Sequence, residues 1–165
     1  MSARDLGLAV AAFALLLDQL SKLLLLFGFG FIDPQVTHVI PVLPFFNIIM
    51  VWNSGVSYGL LAATSTWGRI ALIVLALAAV TGLGYWLWRT TSRSLAIGLG
   101  LVIGGAIGNN LIDRVIYGKV ADFFHFYGFG YDWYVFNVAD VAITFGAIGL
   151  MYDVLKPEPQ TGTGA

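Results

Sequence analysis

The chain has 165 residues, of which 59% are hydrophobic and 10% charged, with a formal net charge of -1. A soluble domain carries about 25% charged residues, so this surface cannot be covered by polar groups and must be completed by lipid. The absence of a basic tract excludes nucleic-acid binding, and the absence of cysteine excludes a disulfide scaffold, a thiol nucleophile and lipidation on cysteine.

Four apolar segments follow in order. The first covers 6–27 and is interrupted by "DQLSK". It is longer than a signal peptide, has no small-residue cleavage site and is followed by further spans. The second runs from residue 69 or 70 to 88, the third over 95–112 and the fourth over 137–152. A membrane helix needs roughly 20 residues, with a range near 17–25, so the fourth span is short unless it begins at or before Phe136. Arg4, Arg89, Arg93 and Lys156 fall on one side of such a bundle, against Arg69, Arg114 and Lys119 on the other. The bias orients both termini to the cytoplasm and the segments 28–68 and 113–136 to the outside. Trp67, Tyr85, Trp86, Trp88, Trp133 and Tyr134 suit an interfacial belt.

The predicted fold is an integral membrane, mainly α protein. It has four transmembrane helices and a small extracytoplasmic β-containing platform between the first and second. "FNIIMVW" is β-prone, prolines 41 and 44 break its lead-in, and Asn53, Gly55 and Gly59 mark turns. "FGFGF" at 27–31 and "FYGFGY" at 126–131 read as flexible interfacial pieces resting on lipid. Residues 1–156 are expected to form one domain and 157–165 a short polar tail.

Polar groups at membrane depth are costly and face the protein interior. Asp18 and Lys22 are four apart on one helix face, as a structural ion pair or an anchor for a site. Glycines 104, 105 and 108 permit close helix packing, after which Asn109, Asn110, Asp113 and Arg114 crowd the outer end of the third span. Asn110 and Arg114 share a face. Arg114 has two readings, an ion pair with Asp113 or a hold on an incoming carbonyl or acidic headgroup. Asn137 and Asp140, three apart, suit a helix cap and its first turn.

Asp122 gives Asp140 a second meaning. The third and fourth spans meet on the same side of the membrane, so the two aspartates can face each other at the outer interface. Two carboxylates in one site do not ionise together, and near neutral pH the pair holds one proton. One then takes a proton from water while the other donates to a scissile carbonyl, the requirement of aspartic peptidase chemistry. The rivals are a small transporter or channel, a structural membrane subunit, a metallopeptidase and a serine peptidase. A transporter would set its acids nearer the midplane. A structural subunit gives no reason for two acids on one side. His38 and His125 form no H-E-x-x-H, and Ser21 and Ser57 lack a base.

These residues closely resemble the lipoprotein signal peptidase (signal peptidase II) family of bacteria, over nearly the whole chain. Its D-Q-x-(S/T)-K element is matched by Asp18, Gln19, Ser21 and Lys22, and its aromatic-Asn-x-Gly element by Asn53 and Gly55. Its G-N-x-x-D-R element, with an aspartate eight residues on, is matched by Asn110, Asp113, Arg114 and Asp122, and F-N-x-A-D by Phe136, Asn137, Ala139 and Asp140. One departure is the doubled asparagine. Counting back from Arg114 puts Asn110 at the family position. Counting forward from Gly104 puts Asn109 there with one inserted residue. The first is preferred, because an insertion in a helix would rotate the aspartate that follows.

The resemblance implies a four-helix protein of the inner membrane that acts on diacylglyceryl-modified prolipoproteins, cutting just N-terminal to the lipidated cysteine. It implies Asp122 and Asp140 as the catalytic dyad. Asp18, Lys22, Asn53, Gly55, Asn109 or Asn110, Asp113, Arg114 and Asn137 would support the site or contact substrate. It further implies inhibition by the cyclic peptide globomycin. No cofactor and no metal are expected, membrane lipids are the surroundings, and the protein is expected to be a monomer.

Overall fold

The computed structural model describes residues 1–33, 39–55 and 65–156. Gly59, His38, Ser57 and the polar tail 157–165 lie outside the described residues.

Helix α1 (Ala3–Leu23) starts at a capping box, in which the Asp5 N–H donates to Ser2 Oγ at 3.1 Å and the Ser2 N–H to Asp5 Oδ2 at 3.3 Å. It runs on as a π-helical turn, Leu24–Gly28. Helices α2 (Thr66–Arg89) and α3 (Arg93–Ala106) are N-capped by Ser65 and Ser92. A π segment, Ile107–Asp113, extends α3 into the single turn α4 (Arg114–Ile116). Helix α5 (Val138–Leu155) is capped by Asn137. With these extensions, four helices among the described residues are long and apolar enough to cross a membrane: Ala3–Gly28, Thr66–Arg89, Arg93–Ile116 and Val138–Leu155. Their outward faces carry large apolar side chains such as Phe13, Leu75 and Phe145, more than half exposed in the isolated chain, which only lipid can cover.

The platform has strands β1 (Val39–Leu43), β2 (Phe46–Asn53), β3 (Val120–Gly128) and β4 (Tyr131–Asp132), in the order β1-β2-β3-β4 and all antiparallel. The expected sheet between the first and second spans is therefore present. It also recruits β3 and β4 from the segment between the third and fourth, which fixes both outer segments on one side. A small core of Leu25, Leu26, Phe31, Ala121 and Phe123 seats the sheet on the end of the first span. "FGFGF" is thus only partly a lipid-facing piece. Phe27 and Phe29 are exposed, whereas Phe31 is buried, its ring 6.1 Å from that of Phe123. "FYGFGY" forms the β3–β4 hairpin, with Phe129 (φ 52°) and Gly130 (φ 79°) in left-handed backbone at its tip.

Helix α3 is wedged between α1 and α5, and two consecutive glycines make this possible. A Cβ on Gly104 would strike the Ala11 carbonyl of α1, and one on Gly105 would stand 2.6 Å from the Ala139 carbonyl of α5. Ala139 precedes Asp140, so this contact sets the depth of the carboxylate. Gly105→Ala is expected to cost about 1–3 kcal/mol through overpacking and to lower precursor cleavage with it. Gly82→Ala, where nothing lies within 4 Å, is the control that should leave the thermal midpoint unchanged or slightly raised.

Candidate active site

Asp122 lies in the buried first half of β3, opposite Val51 of β2, and is 2% exposed. Its Oδ2 accepts from Asn53 Nδ2 at 3.0 Å, across the strand pair, and its Oδ1 from Asn137 Nδ2 at 2.6 Å. Asn137 is also the cap of α5. Its Oδ1 accepts from the Asp140 N–H at 3.0 Å, and its own N–H donates to Asp140 Oδ2 at 3.1 Å. A capping box, normally only a helix start, here ties Asp140 to the residue that holds Asp122. The remaining Asp140 oxygen, Oδ1, accepts from Asn109 Nδ2 at 2.9 Å.

Behind the pair lies a buried charge cluster. Lys22 Nζ contacts Asp18 Oδ2 and Asp113 Oδ2, each at 2.8 Å, and donates to Asn109 Oδ1 at 2.6 Å. Gln19 Nε2 bridges the same two acids, at 3.0 Å to Asp18 and 3.2 Å to Asp113. Each acid then takes a backbone N–H next to one of the two facing aspartates. Asp18 Oδ1 accepts from Ala139 at 3.0 Å, one residue before Asp140, and Asp113 Oδ2 from Ala121 at 3.2 Å, one residue before Asp122. Lys22 joins two carboxylates that hold the backbone beside the other two. Buried charges persist only when paired and hydrogen-bonded in this way.

Arg114 does not pair with Asp113, which faces Lys22 instead. Its Nη2 donates to the Gly55 carbonyl at 2.6 Å and its Nε to Asn110 Oδ1 at 3.2 Å, while Nη1 is buried without a hydrogen-bond partner among the described residues. The platform turn thus takes up the carbonyl hold that adjacency to a substrate had suggested, and one donor is left over. Gly55 in turn donates its N–H to Asn53 Oδ1 at 3.0 Å. The neighbouring asparagines divide the work, Asn109 reaching Asp140 and Asn110 reaching Arg114. The π segment allows this. It holds more residues per turn than an α-helix, so successive asparagines in it can reach different partners. Gln19, which the sequence offers only as part of the D-Q-x-(S/T)-K match, and the two backbone N–H groups join the site as additional members. His125 lies on the far half of β3, its Nε2 3.2 Å from Asp132 Oδ1.

Asp140, Asn53, Gly55, Asn109, Asn110 and Arg114 line a notch of about 230 Å³, which has room for water. Burial, and next the charge of Asp140, push the Asp122 carboxyl up to about 7 against the pull of Asn53 and Asn137. Four spans and two carboxylates bound through one asparagine define an integral membrane aspartic peptidase.

A family model described as signal peptidase (SPase) II matches residues 10–156. The chain belongs to the signal peptidase II family. The lipoprotein signal peptidase of Methylobacterium radiotolerans is 49% identical over 92% of this chain and 86% of its own length, and that of Methylorubrum extorquens 48% over 97% and 91%. A bacterial membrane enzyme determined by the in meso method matches with a TM-score of 0.80 and 26% identity, over 96% of this chain and 93% of that one.

Proposed function

We propose that this multi-pass protein of the inner membrane removes signal peptides from diacylglyceryl-modified prolipoproteins, cutting N-terminal to the lipidated cysteine, with Asp122 and Asp140 as its catalytic dyad. The observation that carries the proposal is Asn137, which donates to one carboxylate and exchanges capping hydrogen bonds with the other.

The dyad works with one proton. The ionised member removes a proton from water, which attacks the scissile carbonyl carbon, while the protonated member donates to the carbonyl oxygen. Collapse of the tetrahedral intermediate returns a proton to the departing amine, and the roles exchange. Burial and the neighbouring Asp140 push the Asp122 carboxyl up to about 7, which suits a pair that shares one proton near neutral pH. Arg114 borders the same notch, and its buried Nη1, without a partner among the described residues, would donate to a substrate carbonyl or headgroup oxygen once substrate displaces the groups that cover it. Asn109 takes the asparagine position beside the dyad, Asn110 steadies Arg114, and Asp18, Lys22, Asp113, Asn53 and Gly55 hold the scaffold. Residues 1–156 act as one domain, as a monomer, with the site toward the periplasm and both termini cytoplasmic.

A signal helix and two acyl chains both prefer lipid, and the bond between them lies near the outer interface. A dyad at the end of α5, beneath a sheet, meets that bond without drawing either apolar part into water. Purified protein should release the signal peptide from a diacylglyceryl-modified precursor, leave the unmodified precursor intact, and be blocked by globomycin. Equal cleavage of both precursors would remove the lipid from the specificity, and ion flux without cleavage in reconstituted vesicles would restore the transporter reading.

A further inference from the structure

Three cations stand on the outer side of the bundle, against the usual bias, and the peptidase site uses only Arg114. Arg69 and Lys119 pair with no carboxylate among the described residues, whose ion pairs are Arg4–Asp5, Lys22 with Asp18 and Asp113, and His125–Asp132. Arg69 lies in the first turn of α2, where the helix dipole is positive and a cation is disfavoured. It reaches over to the turn before β3. Gly118 there has φ +74°, and a Cβ on it would stand 2.7 Å from Arg69 Nη1. Lys119 is the next residue. Two cations and a helix N-terminus therefore converge on one cavity of about 320 Å³, which Ser54, Ser65 and Thr66 also line with hydroxyls. Such a grouping repels itself unless an anion completes it.

The depth of the cavity selects the anion. Thr66 begins the second span, and Trp67 beside it is 80% exposed, as an interfacial tryptophan is. Phosphate groups of lipids lie at that level. We propose that the cavity between the start of α2 and the 117–119 turn binds the phosphate of an anionic phospholipid headgroup. Arg69 supplies a planar fork for two phosphate oxygens, Lys119 a point charge and the serine and threonine hydroxyls neutral donors. The bound headgroup would join three segments. One is the 53–55 turn, whose Asn53 and Gly55 contact Asp122 and Arg114, so the lipid would brace the platform from its outer side.

The test is the thermal midpoint of the purified full-length protein in phosphatidylcholine nanodiscs, with and without phosphatidylglycerol, for wild type and the Arg69→Gln/Lys119→Gln variant. Phosphatidylglycerol should raise the wild-type midpoint by about 3 °C or more. The variant should match wild type in phosphatidylcholine, in both midpoint and precursor cleavage, and lose most of the rise. An equal rise in both proteins, or none in wild type, overturns the proposal. Should the double variant fold poorly, Lys119→Gln alone, at an exposed side chain, must diminish the rise, and an undiminished rise overturns the proposal. Inorganic phosphate added to phosphatidylcholine nanodiscs separates the sources. No rise with it supports the lipid, and a rise of the same size that the variant loses overturns the lipid in favour of free phosphate.

Discussion

Replacing Asp122 or Asp140 with asparagine should lower cleavage of a diacylglyceryl-modified precursor by at least about 10³-fold, since in the proposed cycle each carboxylate serves as both acid and base. The folded protein should survive the change. Asp122→Asn leaves one side-chain oxygen to accept from either Asn53 or Asn137, and Asp140→Asn leaves one to accept at the α5 cap. The sign of the pH dependence supplies a second check. Asp122 titrates near 7 in the folded protein, against 3.8 for an ordinary aspartate. Folding therefore takes up a proton between these values, and the stability that this group contributes at low pH is lost as pH rises toward and through 7. Asp122→Asn removes the pH-dependent part, so its midpoint relative to wild type should be higher at pH 8 than at pH 5. In the wild type, kcat/KM should fall on the alkaline side as the dyad loses its shared proton, with an apparent pKa near 7 that belongs to the pair. Near wild-type turnover by either single variant would sink the dyad, and an activity rising steadily from pH 6 to 9 would sink the shared proton.

Lys22→Met should be the most damaging change to folding. The ammonium group is 2% exposed and faces two carboxylates at 2.8 Å. Methionine fills the stem but strands both charges, and breaking a buried pair costs about 3–5 kcal/mol, a large part of the roughly 5–15 kcal/mol available to a domain. The variant should fail to accumulate, or lose about 10 °C in midpoint. Adding Asp113→Asn should restore part of the loss, because it removes one stranded charge and keeps an oxygen for the Ala121 N–H. A singly substituted Lys22→Met protein with a normal midpoint would show that the cluster carries no structural weight. Thermal melting in detergent, followed by tryptophan fluorescence, measures all three proteins.

The spans were legible because lipid imposes length and apolarity residue by residue. The first three helices differ from the expected 6–27, 69–88 and 95–112 chiefly in their caps and π extensions, whereas the fourth starts at Val138, not at or before Phe136, and gains its length by running past 152 to Leu155. Asp18–Lys22 and Asn137–Asp140 were legible because helical spacing alone puts their members on one face. What escaped needed partners far along the chain. The pairing of β2 with β3 brings Asn53 to Asp122 across 69 residues, and no local pattern announces it. The hold of Arg114 on the Gly55 carbonyl depends on that same sheet. The division of labour between Asn109 and Asn110 depends on a π turn, which has no simple composition signal and which the assumption of a regular α-helix hides.

The hydrogen bond from Ala139 to Asp18 joins residues 121 positions apart. It links the first span to the last, and it gives the molecule an order of assembly. While the ribosome is still making the chain, the first three helices can enter the membrane with β1, β2 and β3, but Asn137 and Asp140 have not yet been synthesised. Until the fourth helix inserts, Asp122 has no second carboxylate and Asp18 has no N–H of Ala139 to hold. The last span to be made thus completes the hydrogen bonding of both the first span and the sheet.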